Sequence, residues 1–290
     1  MHSLDRRQFL VRAAGIGAGV LLGDLKTASA AEVPAGQEPF CFCAIADPHC
    51  GEPPSKGLEK YGTGLDKFFA AIDAIKQLPE QGKPDFILLL GDIHVDAFGP
   101  RLPEVGIPIH ATPGNHESDP MKRKALRALF PDDFNVNGQE SDYYSFVHKG
   151  VRFISMCDAG MGGEHVGQLC SENIRPSGQC EWLEQELSMP ETQKILFAHI
   201  PPEPEGKDRN MYLSRNDSRW FNALVTEKKP TTMFFGHLHQ ATAEYVVGST
   251  RAFNVRSACW NSGKAPIGFM HVRISADGIQ TREIDTGKYE

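Results

Sequence analysis

The chain has 290 residues, 40% of them hydrophobic and 23% charged, with a formal net charge of −7. That composition is ordinary for a globular protein and excludes wholesale disorder and collagen-like structure. The acidic balance argues against a general nucleic-acid surface, although cations held on carboxylates would still attract an anionic ligand.

The chain opens with Arg6-Arg7 ahead of Phe9-Leu10, and a weakly apolar stretch rich in Gly and Ala follows over 13–22. Ala28-Ser29-Ala30 then has the small-x-small pattern of a signal-peptidase site. The order predicts a twin-arginine export signal over 1–30 that engages the twin-arginine export machinery and delivers the chain to the periplasm or outside the cell. Its removal takes away four basic and two acidic residues, moving the net charge from −7 to about −9. Residues 31–39 read as a short polar lead-in and 40–290 as one domain. No apolar run reaches the roughly 18–20 residues of a membrane span, so no mature membrane anchor is expected. The chain has seven Cys. Cys41, Cys43, Cys157 and Cys259 lie in apolar runs and read as buried thiols. Cys170 and Cys180 flank a polar loop and are the pair best placed for a disulfide in an oxidising compartment. Cys50 follows His49 directly and is a weaker candidate ligand.

Phe40–Ala46 has the length and apolarity of a strand and stops at Asp47-Pro48-His49. Leu65, Phe68, Phe69, Ile72, Ile75 and Leu78 recur at three and four, the signature of a helix with one buried face. Phe86–Leu90 is continuously apolar, as in a strand buried on both faces, and ends at Gly91-Asp92. A third strand over Ile107–Ala111 precedes Pro113-Gly114, and Lys122–Phe130 reads as a helix. Tyr143–Val147 and Val151–Met156 flank Lys149-Gly150 as a hairpin. Helical segments at Trp182–Leu187 and Trp220–Val225 alternate with strands at Ile195–Ala198 and Thr231–Phe235. Two antiparallel pairs close the chain: Glu244–Val247 with Ala252–Val255, and His271–Ile274 with Gln280–Ile284. The alternation predicts a mixed α/β domain whose sheets are covered by helices.

The polar residues that end these strands carry the chemistry. Asp47, Asp92, Asn115, His199 and His237 each follow a buried strand, where ligand sites of open α/β sheets form. In chain order the motifs are Asp47-Pro48-His49, Gly91-Asp92, Gly114-Asn115-His116-Glu117, Ala198-His199 and Gly236-His237-Leu238-His239. They contain five of the 11 His. Each piece alone is common; the ordered set, each at a strand end, is specific.

This set resembles the calcineurin-like metallophosphoesterases over nearly all of 40–284. The resemblance implies a four-layer α/β/β/α sandwich of two mixed sheets flanked by helices. It also implies hydrolysis of phosphomonoesters or phosphodiesters by a hydroxide bridging two metal ions. One metal would take Asp47, His49, Asp92 and His239, and the other Asp92, Asn115, His199 and His237, with Asp92 shared. Nitrogen and oxygen donors of this kind suit Fe, Mn or Zn. His116 would be the general acid at the leaving oxygen. Relatives carry a Tyr or an Asp three positions after the shared Asp. Val95 stands there instead, so no purple iron chromophore is expected, and Asp96 or Glu117 is the candidate to orient His116.

His94 and His110 read first as packed or surface residues, and His148, His165 and His271 as structural. The polar segment 203–219, with Lys207, Arg209, Asn210 and Arg215, is long enough to reach the rim of a site. Trp260-Asn261 is a candidate cover for a leaving group. Small phosphoesters, including nucleotides or lipid head groups, are the expected substrates. The alternative is a non-catalytic metal-binding interaction module on the same fold. A serine hydrolase is disfavoured, because no Gly-x-Ser-x-Gly elbow occurs.

Overall fold

The computed structural model describes residues 38–159 and 164–290. The expected export signal over 1–30 and most of the expected 31–39 lead-in lie outside the described residues. Strands β1 (Phe40–Ala46), β2 (Phe86–Leu90) and β3 (Ile109–Thr112) lie side by side and parallel. Two later strands, β12 (Ile267–Ser275) and β13 (Gly278–Gly287), extend that sheet antiparallel on the other side of β1, giving the order β13-β12-β1-β2-β3. The second sheet holds β6 (Tyr144–His148), β7 (Val151–Ser155), β8 (Gln193–Phe197), β9 (Thr232–Phe235), β10 (Ala243–Val247) and β11 (Thr250–Asn254) in the order β10-β11-β9-β8-β7-β6. Its centre, β7-β8-β9-β11, is parallel, and β6 and β10 are antiparallel edges. A small ribbon of β4 (Asn135–Val136) and β5 (Gln139–Glu140) stands apart.

Side-chain alternation makes the layers. Along β7, β8 and β9, Phe153, Ile195, Phe197 and Phe234 face the first sheet. Their neighbours Ile154, Leu196, Met233 and Phe235 face the opposite way. Phe42 joins the two sheets: its ring stacks on Phe86 at 5.5 Å and meets Phe153 and Phe234 edge-on at 5.5 and 5.6 Å. Helix α1 (Gly64–Lys76) buries Phe68, Ala71, Ile72 and Ile75 in the same core. It starts at a capping box, in which Thr63 accepts from the Asp66 N–H and Asp66 accepts from the Thr63 N–H. On the far side of the second sheet, Trp182 and Leu183 of α4 (Gln179–Glu186) and Phe221, Leu224 and Val225 of α5 (Arg215–Lys228) close the outer core. Two mixed sheets flanked by helices is the expected architecture. Among the described residues no helix is long and apolar enough to cross a membrane.

Element positions differ from the sequence reading mainly at their ends. Two short elements complete the helices: α2 (Val95–Phe98) follows β2, and α3 (Pro120–Leu129) starts earlier than its apolar pattern. Asp119 caps α3 through Met121 N and Lys122 N, and Pro120 occupies the first turn. Cys170 and Cys180 form the expected disulfide, and Cys41, Cys43, Cys50, Cys157 and Cys259 are buried thiols. The bridge spans a sequence separation of 10. By loop-closure entropy it stabilises the fold by about 2–3 kcal/mol. A Cys170→Ser/Cys180→Ser protein should lose about that much in urea unfolding, and a loss below about 0.5 kcal/mol would show that the loop is held by other contacts.

Candidate metal centre

The carboxyl ends of the two parallel strand sets meet at one edge. The Thr112 hydroxyl donates to Met156 O at 2.7 Å, and the Ala258 N–H to Ala46 O at 2.9 Å, fastening one sheet to the other. Into this seam the strand ends deliver Asp47 and His49 after β1, Asp92 after β2, Asn115 and His116 after β3, His199 after β8 and His237 and His239 after β9. The motif glycines make the approach close enough. A Cβ on Gly114 would lie 2.3 Å from the Asp92 backbone nitrogen. One on Gly91, where φ is +80°, would lie 2.5 Å from His199 Nδ1.

The backbone here is strained. Eleven non-glycine residues among those described have positive φ, and six of them are Asp47, His49, Asp92, His94, His237 and His239. Each costs about 1 kcal/mol or more, and such strain persists where surrounding structure enforces it.

The two carboxylates are used alike. Asp47 Oδ2 accepts the His237 N–H at 2.8 Å, and Asp92 Oδ1 accepts the His116 N–H at 2.9 Å. The second oxygen of each faces imidazoles. Asp47 Oδ1 lies 3.2 Å from His239 Nε2, 3.9 Å from His199 Nε2 and 4.0 Å from His49 Nε2. Asp92 Oδ2 lies 3.2 Å from His199 Nε2 and 3.6 Å from His49 Nε2. Burial opposes ionisation of both carboxyls. The imidazoles outweigh it, His239 chiefly for Asp47 and His199 chiefly for Asp92, and hold both below the usual range. Burial likewise disfavours charge on His199, but Asp92 and Asp47 push its pKa up to about 10.

The outer nitrogens of the four inward-facing imidazoles are all engaged. His199 Nδ1 donates to Leu90 O at 2.7 Å and His239 Nδ1 to Trp260 O at 2.7 Å. His237 Nε2 donates to His165 O at 3.2 Å, and His49 Nδ1 to Glu52 Oε1 at 3.1 Å. In its neutral form each ring therefore points a lone pair inward. Those lone pairs face other acceptors: His49 Nε2 and His239 Nε2 are 3.0 Å apart, and His199 Nε2 is 3.1 Å from both His237 Nδ1 and Asn115 Oδ1. Asp47 Oδ1 is buried and has no hydrogen-bond donor. Acceptors crowded against acceptors, around buried anions, fit cations between them, and outer donors of this kind orient metal-ligating imidazoles. Two sets of donors converge within 4.8 Å, Asp47-His49-His239 and Asp92-His199-His237.

All the expected site residues meet here. Several residues outside that set meet here too. His94, expected to be a packed or surface residue, has its Nε2 3.0 Å from His116 Nδ1 and 3.2 Å from His49 Nδ1. Asp96 and Glu117 are not the partners of His116. Glu117 is buried, its carboxyl pushed up to about 7 by burial, and it accepts the N–H groups of Ile93, His94 and Gly114. Trp260 lies directly against a candidate ligand. Its ring stacks on His239 at 3.8 Å, and its Nε1 donates to Glu52 Oε2 at 3.0 Å. Asn261 is a turn residue, bonded to Ser257 N and O. His165 reaches the site through its carbonyl, whereas His110 pairs with Asp133 and Cys50 stays in the apolar core. In the 203–219 segment, Arg209, Asn210 and Arg215 line a ≈ 330 Å³ recess with Val166, and none of its lining residues is a candidate ligand.

Paired His/Asp groups at the seam of two helix-covered sheets define a metal-dependent hydrolase. The chain belongs to the calcineurin-like phosphoesterase family, whose model matches residues 42–241, and it is a metal-dependent phosphoric ester hydrolase. No curated protein matches the sequence. Among solved structures it is similar to a dimetal phosphatase from Danio rerio, at 15% identity and TM-score 0.59, over 87% of this chain and 99% of that one. It is also similar to GAP50, the anchor in the inner membrane complex of Plasmodium, at 14% identity and TM-score 0.56, over 87% and 86%. A putative 5'-nucleotidase from Staphylococcus aureus matches at 15% identity and TM-score 0.54, over 86% of this chain and 54% of that one. At these identities the likeness is one of fold.

Proposed function

We propose that the chain is an exported dinuclear-metal phosphoesterase that hydrolyses small phosphomonoesters or phosphodiesters. The observation that carries this reading is the set of inward lone pairs and carboxylate oxygens facing one another at about 3 Å. In this reading Asp47, His49, Asp92 and His239 hold one ion, Asp92, Asn115, His199 and His237 hold the other, and the ions are Fe, Mn or Zn. Bound there, they supply Lewis-acid charge for the phosphate oxygens and lower the pKa of water.

The protein's own part is to place a proton on the leaving oxygen. His116 Nε2 lies 3.9 Å from Asp92 Oδ2, so it faces the same centre. A ≈ 190 Å³ recess opens onto His116 and His94, walled by Val95, Ala97 and Ala125 with Lys122 at its edge, and is sized for a small leaving group. Lys122 Nζ donates to His116 O at 3.0 Å and holds that turn. The Arg6-Arg7 motif and Ala28-Ser29-Ala30 support export by the twin-arginine route. GAP50 is named as an anchor, so a binding-only use of the fold is the reading to test against.

The test is metal content and hydrolysis on one sample of the chain from Ala31. About two ions per chain, with chelator-sensitive hydrolysis of an aryl monoester or a bis-aryl diester, are expected. Bound metal without hydrolysis of either ester would favour the interaction module. No metal after reconstitution with Mn, Fe and Zn would overturn the two-metal reading.

A further inference from the structure

A half-exposed imidazole can donate a proton in a fixed direction only if its other nitrogen is held. The partner of His116 Nδ1 is His94 Nε2 at 3.0 Å, with the ring planes 22° apart and the centroids 4.9 Å apart. Among the described residues no carboxylate hydrogen-bonds this nitrogen, and Val95 cannot.

The protons along this chain can be placed. A carboxylate only accepts, so His49 Nδ1 carries the hydrogen shared with Glu52 Oε1 at 3.1 Å. His94 Nε2 lies 3.2 Å from the same His49 Nδ1, and a lone pair there avoids setting two N–H groups against each other. The same lone pair faces His116 Nδ1, which is therefore the donor. The transferable proton of His116 is then the one on Nε2. We infer that His94 is the positioning residue for His116: it accepts the Nδ1–H and so fixes both the ring and the nitrogen that gives up its proton. In that step the bond from phosphorus to the leaving oxygen breaks and its electron pair stays on that oxygen. The Nε2 proton of the imidazolium joins the oxygen, and His116 remains as neutral imidazole with its Nδ1–H on His94.

The arrangement is built rather than incidental. His94 sits at φ +60°. Glu117 holds it there, taking the His94 N–H at 2.9 Å and the Ile93 N–H at 3.1 Å on one oxygen and the Gly114 N–H at 3.1 Å on the other. One carboxyl thereby ties the turn that carries His94 to the turn that carries His116. Gly51 walls the far edge of the ring, where a Cβ would lie 2.7 Å from His94 Nδ1.

The inference rests on His116 acting as proton donor, so His116→Ala is measured beside His94→Ala. Phenyl and 2,4-dinitrophenyl esters are compared, because only the poor leaving group needs the proton. His94→Ala should lower kcat on the phenyl ester about 30- to 100-fold, with KM within about threefold and bound metal unchanged, and should change the dinitrophenyl rate less than about threefold. His94→Gln, whose carbonyl can accept the same hydrogen, should recover most of the phenyl-ester rate. Histidine nitrogen NMR of the zinc-loaded protein should show neutral His116 as the Nδ1–H tautomer, and a tautomer mixture in His94→Ala. Equal losses on both esters, loss of metal, or an unchanged tautomer would overturn the positioning role. A His116→Ala protein that keeps its phenyl-ester rate would instead overturn the proton-donor reading on which it stands.

Discussion

An Asp92→Asn protein is expected to fold, to lose its metal ions and to lose phosphoester hydrolysis by about three orders of magnitude or more. The reason is local. Asp92 Oδ1 accepts the His116 N–H at 2.9 Å, and an Asn carbonyl can keep that bond. The other atom changes character: at 3.2 Å from His199 Nε2 an anionic acceptor becomes an N–H donor. The acceptor pair that suits a cation turns into an ordinary hydrogen bond, and one of two buried negative charges disappears. Because the imidazoles hold the Asp92 carboxyl below its usual range, its charge supports the metal-free fold at neutral pH, and the metal-free variant should be less stable than the metal-free parent. Elemental analysis, hydrolysis and urea unfolding of both metal-free proteins check the three parts together. Retention of two ions per chain with parental activity would remove Asp92 from the site. Unchanged stability without metal would mean that the imidazoles do not hold that charge in the folded chain.

The placing of the site at strand ends explains what the sequence made legible. Strand cores announce themselves by apolar runs, and the runs Phe40–Ala46 and Phe86–Leu90 coincide with the observed strands. Since the site forms where such strands stop, Asp47, Asp92 and His199 could be placed on one edge before the sheet order was known. His94 was not legible, because its role depends on a left-handed turn and on Glu117 reaching back 23 residues to hold it. Val95 occupies the position where relatives carry a polar residue, and that gap was a signal that another group must serve. Glu52, and the contact of Trp260 with His239, were hidden for a related reason. Both residues touch the candidate ligands only from outside, Glu52 on His49 and Trp260 on His239, and they bond each other across 208 residues of chain. Pattern reading finds what ends a strand; it does not find what leans on a ligand after the chain has folded.

The second large effect is on stability, and it lies one turn from the site. Arg123 on α3 is fully buried, and its Nε donates to the equally buried Asp142 at 3.1 Å. Its Nη1 donates to Ser118 O and its Nη2 to Asn173 O at 2.6 Å. Asp142 also takes Arg127 Nη1 and the Arg175 N–H at 2.9 Å. One guanidinium thus ties the turn after His116 to the 173–175 loop of the second half. Arg123→Ala removes a buried cation and leaves Asp142 short of a partner, and it removes the guanidinium hydrogen bonds to the carbonyls of Ser118 and Asn173. The expected loss in unfolding free energy is about 3–5 kcal/mol. Arg123→Lys should recover little, since one ammonium cannot reproduce a planar fork that spans Asp142, Ser118 and Asn173. Replacing both members together, as Arg123→Met/Asp142→Leu, should cost less than Arg123→Ala alone, because no uncompensated charge is then buried. Urea unfolding of the three variants decides the matter. A loss below about 1 kcal/mol in Arg123→Ala would show that Arg127 alone satisfies Asp142. The same variant should also lower turnover more than it lowers bound metal. Ser118 follows His116 by two residues, and loosening that turn disturbs the proton donor before it disturbs Asp47, His199 or His239.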